Sequence, residues 1–155
     1  MLLVGLWAAA YPQVMTAITI LPTGSRSAQV DPSWVDIYGH MNMAYYVKLF
    51  DDLGHDILAD HGLGEAYTRK FGFGLFTVKA AIDYLREVTA DAPLTISLTI
   101  EKADSKRLWT KLEMRHSEQG YVAATMAQLA VNVSLATRRA VVFPAELDAV
   151  LDSYR

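Results

Sequence analysis

The sequence predicts an α+β domain in which an antiparallel sheet wraps one long helix, and three patterns carry that expectation. Met43, Tyr46, Val47, Phe50, Leu53, Ile57 and Leu58 recur three or four residues apart, the spacing of a helix with one apolar stripe. Beyond Phe76 the period changes to two in one segment after another, as in strands with one buried face. Finally, the run HSEQG at 116–120 joins two such segments as a hairpin turn.

The helix is expected from Met43 for about five turns. Lys48, Asp51, Asp52, Asp56 and Asp60 occupy its polar side, and Gly62 and Gly64 stop it. The first strand runs from Phe76 to Leu85 and is introduced by Gly72 and Gly74. In the second, Leu94, Ile96, Leu98 and Ile100 alternate with Thr95, Ser97 and Thr99. The third sets Leu108, Thr110, Leu112 and Met114 against Trp109, Lys111, Glu113 and Arg115. Tyr121–Leu135 is rich in alanine, so helix competes with strand there, but Val122, Val131, Val133 and the flanking turns favour a fourth strand. A short helix over Ala145–Tyr154 closes the chain after Pro144. The sheet must curve around the helix to bury its stripe. Its outer face would carry Trp109, Tyr121 or Tyr84, and exposed apolar area of that kind predicts at least a dimer.

Bulk composition fits this plan. The 155 residues are 52% hydrophobic and 20% charged, enough for one packed core, and a net charge of −3 without a basic run argues against nucleic acid as a partner. The chain has no cysteine, which excludes disulfides, thiolate metal sites and a cysteine nucleophile and suits a cytoplasmic enzyme. His40, His55, His61 and His116 form no metal-ligating spacing. His55 and His61 read best as part of a solvated helix face. The first twenty residues are apolar but lack a basic leader, are interrupted by Tyr11, Pro12 and Gln13, and are too short to span a bilayer. Residues 1–24 are expected to be an N-terminal extension, with Met15 as an alternative start, and 25–155 a single domain. Pro22–Ser27 is read as a turn-rich connection between them.

The stretch VDPSWVDIYGHMNMAYY (30–46) is where an extended segment enters the helix. Asn42 is placed to cap it, leaving the amides of Met43, Ala44 and Tyr45 pointing out of the helix start, where they stabilise anionic oxygen. Asp36 and Gly39 lie just upstream, an acid and a flexible residue that lets the backbone curl the acid toward the same spot. A carboxylate beside such amides suits thioester hydrolysis, in which water or the acid attacks while donors steady the oxyanion. The residues alone equally allow Asp36 to be a turn residue bonded to its own backbone.

The run WVDIYGHMNMAYYVKLFDD resembles the start of the hotdog-fold thioesterases of the 4-hydroxybenzoyl-CoA thioesterase type, and most closely their W-V-D-x-x-G-H-M-N-x-x-Y-Y branch, which includes betainyl-CoA thioesterases and the thioesterase domain fused to some carnitine dehydrogenases. YLREV (84–88), ADSKRLWTKLEMRH (103–116) and LATRRAVVFP (135–144) extend the likeness over about residues 28–148. The resemblance implies a hotdog fold, hydrolysis of acyl-CoA and a homodimer or homotetramer. It implies no cofactor beyond the CoA of the substrate, no metal and no membrane. By position it makes Asp36 the catalytic carboxylate and the Met43 backbone amide the carbonyl donor. Gly39, His40 and Asn42 fall on signature positions, each open to a turn-shaping role or to direct contact. Thr77 is a weaker candidate, on a strand expected near a partner's site, with a core threonine as the alternative.

The resemblance also implies that Lys106 and Arg107, in the turn ADSKRL, meet the nucleotide phosphates; from the residues alone they are equally solvated turn charges. Trp34, Tyr38, Tyr45, Tyr46, Phe71, Phe73 and Phe76 are expected around the site, as a box for a trimethylammonium head, as the wall of a pocket for a neutral acyl group, or as core. Two other readings are a hotdog hydratase or dehydratase, whose Asp and His are spaced differently from Asp36 and His40, and a non-catalytic acyl-CoA-binding module.

Overall fold

A computed structural model describes residues 23–155. Residues 1–22 of the expected extension, with the alternative start at Met15, lie outside the described residues, while its last two, Thr23 and Gly24, lie within them and Gly24 opens the first strand. Five strands form one antiparallel sheet: β1 (Gly24–Gln29), β2 (Phe73–Tyr84), β3 (Pro93–Ala103), β4 (Arg107–His116) and β5 (Val122–Ser134), in the order β1-β3-β4-β5-β2. The long helix α1 (Met43–Asp60) lies against it, followed by the short α2 (Glu65–Phe71). The chain ends in a broken helical stretch over Ala145–Tyr154 whose α-helical turn is α3 (Asp148–Leu151).

The period-two segments form the sheet as their patterns require. Leu94, Ile96, Leu98 and Ile100 of β3 and Leu108, Thr110, Leu112 and Met114 of β4 all point inward and are buried. The alanine-rich segment is strand β5, paired on both sides by β4 and β2; a helix there would leave the facing edges of those two strands without ladder partners. The β4–β5 hairpin closes through Gly120.

Helix α1 buries Tyr46, Leu49, Phe50, Gly54, Ile57 and Leu58, and full burial of a side chain such as Phe50 or Ile57 contributes roughly 2 kcal/mol. Gly54 allows the helix to approach the sheet closely, since a Cβ there would stand 2.9 Å from Leu112 Cδ2. The buried stripe is rotated from the one expected: Met43 and Val47 at the N-terminal end are exposed, and Leu49 and Gly54 take their seats against the sheet.

The structure departs from the sequence reading at three further points. The described part of the Pro22–Ser27 connection is largely strand, because Gly24–Gln29 pairs with β3 in register from Gly24↔Leu98 to Gln29↔Pro93, and Thr23 already bonds Leu98 and Ile100. Its serines hid the alternation, since only half of a short edge strand faces the core. Helix α2 had no sequence signal because it is two turns long and buries only Tyr67. The outer-face aromatics are partly taken up by their own chain: Arg86 stacks on Tyr121 at 3.9 Å, and Lys102 and Arg107 lie over Trp109. Tyr84 is exposed as expected and, with Phe76, Val78 and Leu85, forms apolar surface on and just beyond the edge strand β2; Ile37, Tyr38 and Met43 near the helix start are exposed as well.

Candidate active site

Between Val35 and Met41, which pair as an isolated antiparallel bridge, the backbone makes a tight reversal. The Asp36 amide donates to His40 O at 3.1 Å and the Gly39 amide to Asp36 O at 3.0 Å, with Gly39 at φ +82°, a conformation that favours glycine. The amides of Met41 and Asn42 donate to Val88 O and Trp34 O, which fixes the loop to the core before the helix begins. Asn42 then caps α1, its side chain accepting from the Ala44 amide at 3.0 Å. The Met43 amide, at the first helical position, has no acceptor among the described residues.

The Asp36 carboxylate is largely enclosed and has two sides. Oδ1 accepts from the Tyr38 amide at 2.9 Å, the local bond of a turn aspartate, while Oδ2 lies 3.4 Å from Asn42 Nδ2 at the helix mouth. Both sequence readings of this residue thus describe part of its geometry. The His40 ring stands between two acids, Nε2 3.8 Å from Asp36 Oδ1 and Nδ1 3.1 Å from Glu87 Oε2.

These groups line an open cleft of about 450 Å³ together with Tyr38, Met41, Asn42, Met43, Tyr46, Tyr84, Leu85 and Arg86. Tyr46 and Tyr84 meet edge to face at 5.2 Å, and burial holds the Tyr46 phenol above its ordinary range, so it keeps its proton as a potential donor. Tyr84, Leu85, Arg86 and Glu87 were not expected here. They lie at and just beyond the end of β2, where the alternation stops, and nothing in that segment alone shows that it passes beside the Val35–Met41 reversal.

Other expected residues lie elsewhere. Trp34 and Tyr45 stack on each other at 5.2 Å outside the cleft lining. Tyr67 and Phe71 of α2 pack with Phe73, and Phe76 is on the β2 edge. Thr77 accepts a hydrogen bond from Gln128 Nε2 and lines a separate, narrow recess with Asp51 and His55. Lys106 and Arg107 sit at the β3–β4 turn, where Arg107 is paired to Asp104 at 2.6 Å. Among the described residues no group of three or more His, Asp or Glu is arranged to hold a metal ion.

A family model described as the Thioesterase-like superfamily matches residues 30–151, which include the whole Asp36–Glu87 cleft. The chain belongs to this family. It is 32% identical over 134 residues to the L-carnitine dehydrogenase/betainyl-CoA thioesterase of Agrobacterium fabrum, a match that covers 84% of this chain and 27% of that protein. The betainyl-CoA thioesterase of Pseudomonas aeruginosa is 28% identical over 122 residues, 79% of this chain and 77% of that one. The chain thus spans about a quarter of the first of these relatives and most of the second. A hypothetical protein of Staphylococcus aureus, solved in complex with CoA, superposes with a TM-score of 0.78 at 27% identity, over 84% of this chain and 82% of that one. A 1,4-dihydroxy-2-naphthoyl-CoA thioesterase from Synechocystis shares the fold, with a TM-score of 0.73 at 20% identity over 83% and 94% of the two chains. The fold of this superfamily member is therefore the hotdog, with α1 as the wrapped helix.

Proposed function

We propose that this chain hydrolyses the thioester of an acyl-CoA to the free acid and CoA, with betainyl-CoA as its leading substrate. One observation carries the reading: Asp36 and Met43 line the same cleft at the start of α1, and the Met43 amide has no acceptor among the described residues. In this reading a thioester carbonyl sits with its oxygen toward Met43 N and the helix dipole, and its carbon is attacked by Asp36 or by water that Asp36 deprotonates. The amide then steadies the charge that moves onto oxygen, an effect worth ~3 kcal/mol for one such donor. Gly39 and Asn42 aim the carboxylate. No cofactor besides the CoA of the substrate enters the reaction.

The names of the relatives support the acyl group, and the cleft suits a quaternary ammonium. Tyr38, Tyr46 and Tyr84 offer ring surface and Asp36 and Glu87 negative charge, and a cation on an aromatic face gains about 0.5–2 kcal/mol. Lys106, which has no ion-pair partner among the described residues, is the better placed of the two turn cations for the nucleotide phosphates. The working form is a homodimer or homotetramer joined through the apolar β2 edge, and its place of work is the cytoplasm. No helix of the described residues is long and apolar enough to cross a membrane.

Thiol release from betainyl-CoA and acetyl-CoA by the wild type and Asp36→Ala tests both levels. Turnover that collapses in Asp36→Ala supports hydrolysis at this cleft, and no thiol release by the wild type overturns it. If betainyl-CoA is turned over no faster than acetyl-CoA, the acyl assignment falls and hydrolysis stands.

A further inference from the structure

Glu87 lies forty-seven residues from His40 in sequence, yet its carboxylate meets His40 Nδ1 at 3.1 Å on the wall of the cleft. Its backbone is fixed from two sides. The Tyr121 hydroxyl donates to Glu87 O at 3.0 Å, and the next residue, Val88, is buried and accepts from the Met41 amide at 2.8 Å. The same Met41 follows His40, so one hydrogen bond ties the acid's segment to the imidazole's segment. The opposite ring nitrogen, Nε2, faces Asp36 Oδ1 at 3.8 Å, longer than a hydrogen bond and short enough for a proton to cross once substrate closes the gap.

We propose that Glu87 is a positioning residue that holds His40 as the proton carrier of the hydrolysis. This rests on the thioesterase reading of the cleft. A carboxylate can only accept, so Nδ1 carries the hydrogen and Nε2 is left facing the reaction. As water oxygen bonds to the carbonyl carbon, its proton passes by way of Asp36 to Nε2. As the C–S bond breaks, the electron pair leaves on sulfur and Nε2–H returns the proton to it. The sum is thioester plus water to acid plus thiol, with His40 and Asp36 restored and no other reactant. Glu87 stabilises the imidazolium that exists between the two transfers. The charged groups facing His40 in the cleft are Asp36 and Glu87, with Arg86 turned onto the Tyr121 ring, so the local charge around the ring is negative.

Kinetics of Glu87→Gln, His40→Ala and the double variant on an acyl-CoA that the wild type hydrolyses test the proposal, with ring-nitrogen NMR of the unliganded protein alongside. His40→Ala is expected to lower kcat by ~10²-fold, in the range of general acid–base catalysis, and Glu87→Gln by about tenfold, each with KM little changed. Adding Glu87→Gln to His40→Ala should lower the rate no further, because both act through one imidazole. In Glu87→Gln the acid limb of kcat should move to lower pH, since His40 must start the cycle unprotonated at Nε2 and removing an adjacent negative charge makes the imidazolium a stronger acid. The NMR spectrum should show His40 as the Nδ1–H tautomer in the wild type and lose that preference in Glu87→Gln. Strictly multiplicative rate losses, an unmoved pH limb, or an Nε2–H tautomer in the wild type each overturn the proposal. Those outcomes beside an Asp36-dependent wild-type rate remove Glu87 alone, whereas a wild type that releases no thiol removes the function on which it rests.

Discussion

Asn42 joins the Asp36 carboxylate to the helix, its Oδ1 accepting from the Ala44 amide at 3.0 Å and its Nδ2 reaching Asp36 Oδ2 at 3.4 Å. One side chain therefore serves as helix cap and as a neutral donor to the acid. Asn42→Asp separates the two roles, because aspartate caps as well as asparagine but brings a second negative charge to Asp36. We expect the melting temperature to stay within a few degrees, while the acid limb of the activity profile moves upward and kcat at neutral pH falls by ~10-fold or more. Asn42→Ala loses the cap and should lower the unfolding free energy by about 1 kcal/mol. Denaturant unfolding and pH–rate profiles of the two variants measure these effects independently.

Gly39 makes the reversal that brings Asp36 back toward the helix at a φ of +82°, and a methyl group added to its Cα would have no neighbouring atom within 4 Å. Gly39→Ala thus meets no clash, and its whole effect is backbone strain. The expected loss is roughly 1–2 kcal/mol of stability, with a fall in turnover as the loop relaxes and re-aims the acid. Equal stability and activity in Gly39→Ala would show that this turn does not aim Asp36.

Long-period patterns were the legible part of this chain, and short or long-range relationships were not. The Leu94–Ile100 alternation and the Met43–Leu58 stripe each repeat a burial decision several times, so they reveal β3 and α1 without any tertiary information. β1 and α2 repeat it too few times to stand out. At the site, Asp36, Gly39, His40, Asn42 and Met43 sit within eight residues on one loop and helix start, so local rules bring them together. Tyr84, Arg86 and Glu87 reach the same cleft only because the stretch after β2 bonds back through Val88 to Met41, a contact no local pattern encodes. Of the expected aromatics, Tyr38 and Tyr46 line the cleft, whereas Trp34 stacks on Tyr45 and Phe71 on Phe73 outside its lining, the core-packing alternative for those four.

Away from the site, the buried Tyr67 hydroxyl donates to Asn132 Oδ1 at 2.7 Å, and Asn132 Nδ2 in turn reaches the carbonyls of Val141 and Val142. Burial pushes the Tyr67 phenol up to about 12. The unfolded chain releases that proton near pH 10 and the folded chain retains it, so this contribution to stability is whole below pH 10 and is lost as pH rises to about 12. The loss should amount to roughly 2 kcal/mol across that interval. Tyr67→Phe should flatten this part of the stability profile, at a cost of about 1–3 kcal/mol at neutral pH for leaving Asn132 Oδ1 without its donor. Denaturant titrations of both proteins at pH 9 and above measure the difference, and an identical slope would exclude Tyr67 as its source.

The β2 edge sets the last prediction. This twelve-residue strand pairs with β5 on one side only, and Phe76, Val78 and Tyr84 on it are exposed, with Val78 at the bulge between Thr77 and Lys79. A long, apolar, unpaired edge is a surface that recruits another strand or chain. Val78→Asp places a charge in the middle of that surface, at a side chain that is itself exposed. Sedimentation at micromolar concentration should show the wild type as a dimer or tetramer and Val78→Asp shifted toward monomer, with unfolding of the monomer moved by less than about 0.5 kcal/mol, as for other exposed substitutions. A wild type that sediments as a monomer refutes the assembly outright. An oligomer that Val78→Asp leaves intact moves the interface to another face, such as the outer side of the sheet around Ala81, Ala127 and Leu129.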